Sequence, residues 1–372
     1  MNDVMGVLNL SENNREIQEL TIVRPISAIP FGGRYRIIDF ALSNFVNADI
    51  SNVSIFTNDK YRSLQDHISN GKHWDLDRKN DGLFMFNPII DEYGPVHYRG
   101  DIHNFKMTMD YFKRSKQNYV IISSSYMLCN IDLREFYEFH KESKADITIM
   151  YKSINKDLDR FINCDALNID KKNNILSFGK NKCTKAELDI SMEIYILKKD
   201  LLIEILEEMI ATGKNEYLRE GLHERVNEYK FNAYEFKGYL SCINNIENYY
   251  KSSMDLLDMN IANELFFKNG PIYTKIKDEP PVKYGQNSKA KNSLIANGCI
   301  IDGEIENSIV SRRVKIGKNC TIKNSILMQK CEIEDDVYLE NVILDKNVLI
   351  TKGKELIGGV KNPLVIKKNK TI

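Results

Sequence analysis

The chain has 372 residues, 42% of them hydrophobic, and its 52 Lys and Arg equal its 52 Asp and Glu, so the net charge is zero. That length exceeds one ordinary core and predicts two domains, while the absence of a basic surplus removes the electrostatic case for a nucleic-acid or anionic-membrane partner. No apolar run approaches the ~20 residues that span a bilayer.

The first residues, "MNDVMGVLNL", hold neither a basic leader nor a small-residue cleavage site, so a cytoplasmic location is expected. Seven scattered cysteines (Cys129, Cys164, Cys183, Cys242, Cys299, Cys320 and Cys331) form no C-x-x-C pair. They fit reduced thiols better than a disulfide frame or a zinc site. From residue 1 to about 235, short apolar runs alternate with amphipathic segments. Asn52–Thr57, Tyr119–Ser125, Asp146–Tyr151 and Met192–Leu197 read as buried strands. Ile102–Ser115, Asp132–Ser143 and Asp200–Gly213 carry apolar residues at helical spacing. In the last of these Asp200 is the expected N-cap and Gly213 the stop. The alternation predicts an α/β fold with a mostly parallel sheet and helices on both faces.

Residues 236–283, including "KDEPP", are expected to connect this domain (1–235) to a second one (284–372). In the latter, Val314, Cys320 and Ile326 are six apart, as are Cys331 and Val337, and Val342 and Val348. A small apolar residue every six, with Gly, Asn and Asp at the corners, predicts a parallel β-helix. Two steps shorten from six to five, which the repeat alone does not explain. The terminal "VIKKNK" reads as a solvated basic tail.

Four stretches carry a family resemblance. "PFGGRYRIIDFALSN" (Pro30–Asn44), "HISNGKHWDLDR" (His67–Arg78), "HYRG" (His97–Gly100) and "ISMEIYIL" (Ile190–Leu197) occur in that order. They resemble "PFGGKYRIIDFPLSN", "HIGxGxxWDLDR", "WYRGTADA" and "ASMGIYVF" of bacterial ADP-glucose pyrophosphorylases, the glucose-1-phosphate adenylyltransferases. The resemblance covers nearly the whole chain. It implies a Rossmann-like nucleotidyltransferase domain followed by a left-handed hexapeptide β-helix, and transfer of AMP from ATP to glucose 1-phosphate.

The chemistry of that transfer makes demands this sequence does not meet. A triphosphate needs bare backbone N–H groups at a glycine-rich turn, yet no glycine lies between Gly6 and Gly32. Arg15 stands near the family's loop arginine, and Ile26 replaces its phosphate-binding lysine. Magnesium needs hard oxygen ligands. Tyr126 and Cys242 align with the two metal aspartates, so no catalytic or metal-binding residue is assigned and no cofactor is expected on this chain; Mg²⁺ would belong to a catalytic partner. Asp132 is read as a helix cap. The family's sugar-phosphate Glu-Lys pair is lost in "FGKNK", where Lys180 or Lys182 would have to compensate, and Glu193 replaces a glycine beside the sugar pocket. Arg15, Tyr98, Gly100, Ser191 and Glu193 are therefore expected to line a remnant nucleotide or sugar pocket. Arg34 and Arg36 align with a basic segment at the family's effector pocket and are expected at an effector or interface contact. Asp39 and Asn44 read as architectural. The resemblance sets His67 and Trp74 in a pyrophosphate-side loop, with simple packing the alternative for Trp74.

Within the family this pattern is similar to the GlgD-type, non-catalytic subunit. The resemblance implies a regulatory role in glycogen or α-glucan biosynthesis, as a hetero-oligomer, a tetramer, with a catalytic ADP-glucose pyrophosphorylase subunit. A homo-oligomer is the alternative assembly. A slow but genuine adenylyltransferase with rearranged metal ligands is the rival function. Hexapeptide coils also occur in acyltransferases, but those use a histidine near the coil, and none follows His223.

Overall fold

The structure is a computed structural model that describes residues 1–57, 60–87 and 100–372; His97 and Tyr98 lie outside the described residues. The chain forms two compact units. The first comprises Met1–Glu12, Phe40–Leu240 and Lys268–Tyr273, and the second Asn13–Asp39, Ser241–Phe267 and Thr274–Ile372. No described helix is long and apolar enough to cross a membrane.

The first unit is built on a nine-stranded sheet. Its strands are β1 (Val4–Asn9), β2 (Asn52–Phe56), β3 (Gly82–Phe86), β4 (Tyr119–Ser123), β5 (Ile147–Ile154), β6 (Asp165–Ile169), β7 (Ile175–Lys180), β8 (Leu188–Lys198) and β9 (Phe231–Glu235). The order is β7-β6-β8-β4-β1-β2-β3, with β5 placed between β8 and β9. Strands β4, β1, β2 and β3 run parallel. The long β8 enters antiparallel to β4, β5 and β6, so the sheet is mixed.

Side chains at helical spacing close over this sheet. Phe56 meets Phe105 at 4.5 Å and stacks on Phe112 at 6.0 Å, within a core that includes Leu202, Ile205 and Leu206. The single helix expected over Ile102–Ser115 is two, Asp101–Met107 and Met109–Arg114. They break at Thr108, whose hydroxyl donates to the Asn104 carbonyl at 2.8 Å, a local bond that competes with the helix ladder. Helix Lys199–Thr212 ends as expected at Gly213, φ +59°, whose N–H reaches the Met209 carbonyl. Asp200 is not its cap: Lys198 holds that position and Asp200 lies in the first turn, where its charge still favours the helix dipole. Asp132 does cap Leu133–Ser143, accepting from the Arg134 amide at 2.9 Å.

The second unit contains three five-stranded parallel sheets formed by successive coils of one chain. Its corners account for the irregular repeat. Asn307, Arg313 and Asn319 have positive φ, as do Asn324, Lys330 and Asp336 in the next coil and Asn341, Asn347 and Gly353 in the one after. The corner spacing therefore runs six, six, five, and one short side per coil produces the slips seen in the sequence. Asparagine suits these positions because its short side chain tolerates left-handed backbone, and it also bonds from coil to coil: the Asn292 amide donates to Asn307 at 2.8 Å. Val314, Cys320, Cys331, Val337, Val342 and Val348 all fall in the coil core, with Ile305, Ile322 and Leu339. The segment Asn13–Asp39 is tied to the coils by the buried Arg24–Asp345 ion pair. Tyr250 adds a bond from Oη to the Asn324 carbonyl at 2.6 Å.

Candidate functional site

In the first unit, a bulge in β8 sets two of the expected pocket residues, Ser191 and Glu193, beside the loop that follows β4. Parallel strands place such loops side by side at their carboxyl ends, where α/β sheets open a crevice. Ser123 ends β4, and Ser124, Ser125 and Tyr126 follow it, all buried. The register of β8 shifts between Ser191 and Ile194. In that bulge Glu193 adopts φ +53° and is 8% exposed.

Glu193 is the hub of this cluster. Its Oε1 accepts the Tyr126 hydroxyl at 2.6 Å and Arg219 Nη1 at 2.7 Å. Its amide donates to Ser191 Oγ at 3.2 Å. Arg219 Nε lies 3.5 Å from Asp165 Oδ2, and Lys180 pairs with Asp165 at 2.5 Å. Asp165 is 2% exposed. The negative charge of Glu193 raises the Arg219 pKa well above its usual range, offsetting burial, with Asp165 adding to the effect. His223 stacks on Phe178 at 3.8 Å between ring centroids, and burial holds it down to about 4, so it is neutral at physiological pH.

Two more carboxylates are held beneath this hub. Glu12 Oε1 accepts the Ser125 amide at 2.9 Å and the Ser125 hydroxyl at 2.7 Å. Burial raises its pKa to about 7, against the opposing pull of those bonds. Asp101 accepts Asn9 Nδ2 at 2.5 Å and the Leu218 amide at 2.7 Å; burial again raises its pKa. Gly100 is fixed by space as well as by φ +88°, because a Cβ there would fall 2.1 Å from the Glu216 carbonyl oxygen.

Gly100, Ser191 and Glu193 thus belong to one neighbourhood of the first unit, whereas Arg15 lies on an exposed turn of the second unit. Tyr98 is outside the described residues. Lys182 donates to Asn163 at 3.0 Å, away from the hub. His67 and Trp74 are buried and touch edge-on at 5.8 Å. The sequence reading missed Arg219, Asp165, Glu12 and Asp101. Glu12 had a signal, as a carboxylate in the glycine-free stretch where a phosphate loop belongs; Arg219 and Asp165 sit in no motif.

The two residues that the resemblance sets at magnesium positions, Tyr126 and Cys242, do not suit that ion. Tyr126 offers a phenol whose proton already serves Glu193. Cys242 is a fully buried thiol in the short strand Ser241–Cys242 of the second unit. Neither is a hard anionic oxygen. Among the described residues, no three His, Cys, Asp or Glu side chains gather as a metal ion would require.

The second unit carries a different feature, a concentration of cations around Arg36. Lys346 is held down to about 6 by burial and by the charges of Arg36 and Arg24. Burial and Arg34 lower the pKa of Arg312. Burial, Arg312 and Arg36 lower that of Lys277. Arg34 is exposed, its guanidinium 5.5 Å from the Tyr35 ring centroid. The nearby acids are engaged: Asp345 with Arg24, Glu279 with Arg313 at 2.5 Å, and Asp39 with the Arg36 amide at 3.0 Å. In the first unit, Asn44 is architectural, bridging the Cys129 carbonyl and the Ile131 amide.

Comparison with known proteins places these sites in context. Residues 16–258 match the nucleotidyl transferase family, and residues 280–362 match the GlmU-like C-terminal hexapeptide family. The glycogen biosynthesis protein GlgD of Bacillus subtilis is 39% identical over 99% of this chain and 96% of its own length. Its namesake from Geobacillus stearothermophilus is 37% identical over 85% of this chain and 82% of its own. A glucose-1-phosphate adenylyltransferase of Mycoplasma mobile is 32% identical over 78% of this chain and 77% of its own.

Proposed function

This chain belongs to the nucleotidyl transferase family, and we propose that it serves glycogen biosynthesis as a non-catalytic, regulatory partner of a glucose-1-phosphate adenylyltransferase. The relatives named GlgD support the pathway, and the adenylyltransferase relative supports the enzyme it is built to resemble. The observation that carries the reading is the bond from Tyr126 to Glu193. Where magnesium would need a carboxylate, the chain has a phenol committed to its own glutamate. A divalent metal offsets charge on the attacking and leaving oxygens of phosphoryl transfer. Each ~1.4 kcal/mol of stabilisation lost is a factor of ten in rate, so the loss of metal ligands, phosphate loop and loop lysine together removes useful catalysis.

A subunit that does not catalyse acts through what it binds and what it joins. The cations around Arg36 and Lys346 weaken one another's protonation, the condition that an anion relieves. The reading assigns Arg34 and Arg36 to an anionic effector and the complex to a hetero-oligomer, a tetramer, with the catalytic chain. The test mixes purified chain with a catalytic glucose-1-phosphate adenylyltransferase and follows pyrophosphate release across a series of anionic phosphate esters. Co-elution and a shifted effector response support the reading; the same kinetics with and without this chain refute it.

A further inference from the structure

We propose that Glu193 is a built-in anion, an intramolecular stand-in for a phosphate monoester on the guanidinium of Arg219, so that the pocket of the first unit is occupied by the chain itself. This deepens the non-catalytic reading and rests on it.

The backbone supplies the first reason. Glu193 sits at φ +53° in the β8 bulge, where an L side chain costs ~1–2 kcal/mol relative to right-handed backbone. Strain of this kind persists where its surroundings over-determine it. Here they are Ser191 Oγ accepting the Glu193 amide and the Ser124 amide donating to the Glu193 carbonyl at 3.3 Å. Those bonds fix the direction of the side chain.

Charge supplies the second reason. One carboxylate oxygen receives both the Tyr126 hydroxyl and Arg219 Nη1, the short donor geometry a phosphate oxygen would receive. The Arg219 side chain remains 38% exposed, so a ligand entering from solvent has access to the same fork. Behind it Lys180 contributes a second cation and Asp165 one compensating charge. With the Glu193 carboxylate in place, Arg219 and Lys180 face two anions and the cluster is neutral. Without it Arg219 and Lys180 face Asp165 alone at that point, the Tyr126 hydroxyl and Arg219 Nη1 lose their shared acceptor, and the space of a carboxyethyl arm opens. That is a site for a small dianion.

The same device occurs a second time. Glu12 lies against the Ser125 amide and hydroxyl, a carboxylate on donors of the kind that bind phosphate oxygens.

The experiment titrates the full chain with inorganic phosphate and with glucose 1-phosphate by calorimetry, counting sites so that any site around Arg36 is subtracted. Glu193→Gly gains one site beyond those of the wild-type chain, roughly tenfold or more tighter than anything the wild type shows in that pocket. The gain disappears in Glu193→Gly/Arg219→Gln. Glu193→Asn, neutral and tolerant of left-handed backbone, shows the same gain should the glycine variant fold poorly. Glucose 1-phosphate binding more tightly than phosphate marks a retained sugar contact; equal affinities mark a phosphate site alone, and both support the stand-in. No added site in either variant, or an added site that survives Arg219→Gln, overturns it. That failure leaves the regulatory reading standing, because the latter is decided by the mixing kinetics and by turnover of the chain alone.

Discussion

Replacing Arg24 by methionine tests how the second unit is held together. The Arg24 and Asp345 side chains are 3% and 2% exposed and lie 321 residues apart in the chain. Arg24 also donates Nε to the Leu20 carbonyl at 2.8 Å, while Asp345 Oδ1 accepts the Lys346 amide at 2.7 Å. Methionine keeps most of the stem's volume and removes the charge, leaving a buried carboxylate with one backbone donor. Removing one partner of a buried pair costs ~3–5 kcal/mol. Removing both, as in Arg24→Met/Asp345→Leu, is close to neutral because no charge is left stranded, so the cycle gives a coupling of ~3 kcal/mol or more. The assay is urea unfolding combined with hydrogen exchange read by mass spectrometry. In Arg24→Met the amides of residues 13–39 lose protection before those of the coils. A loss below ~1 kcal/mol, the range of an exposed pair, refutes the reasoning, as does a double variant as unstable as the two single losses added.

Lys346 sets a pH dependence. Its folded pKa is about 6 against an ordinary 10.5, lowered by burial and then by Arg36, Arg24 and Lys368, with Asp345 opposing. Between those values the unfolded chain binds a proton that the folded chain does not, so this residue's contribution to stability rises with pH across the window and is lost as pH falls through 6. An anion bound beside it restores the ammonium. Affinity for a phosphate ester therefore falls about tenfold per unit above pH 6, and calorimetry in buffers of different ionisation enthalpy reads uptake of about one proton; Lys346→Met flattens both, and no proton uptake in the wild type contradicts the assignment. Leu339 is fully buried in the coil core, and Leu339→Ala costs ~2–5 kcal/mol, read as a lowered urea midpoint. Gly100→Ala drives a methyl into the Glu216 carbonyl; it loosens residues 100–107 and 216–218 in hydrogen exchange, and unchanged protection there contradicts the packing described.

Much of the fold was legible because its signals are local. Six-residue spacing marked the coil, and the motif run from Pro30 to Leu197 marked the nucleotidyltransferase domain. The five-residue steps were not, because they follow from the backbone sign at Asn319 and Asn324 and again at Asp336 and Asn341, which apolar spacing does not show. The break at Thr108 was hidden by unbroken apolar spacing across it. At the site, Glu193 was legible as a charge where the resemblance implies glycine, the residue that a positive φ favours. Arg219 and Asp165 were invisible: each becomes functional only through a partner far away in sequence. Lys346 and Arg312 were hidden in the same way, since a depressed lysine pKa is a property of neighbours brought in by folding.

The central claim is that this chain, having no carboxylate at its Tyr126 position to hold magnesium, does not make a sugar nucleotide alone. The most direct measurement is pyrophosphate release by the purified chain with ATP, glucose 1-phosphate and Mg²⁺, beside a catalytic glucose-1-phosphate adenylyltransferase under the same conditions. The account predicts release at the level of buffer; turnover within about a hundredfold of the catalytic enzyme, less than ~3 kcal/mol of lost transition-state stabilisation, would contradict it.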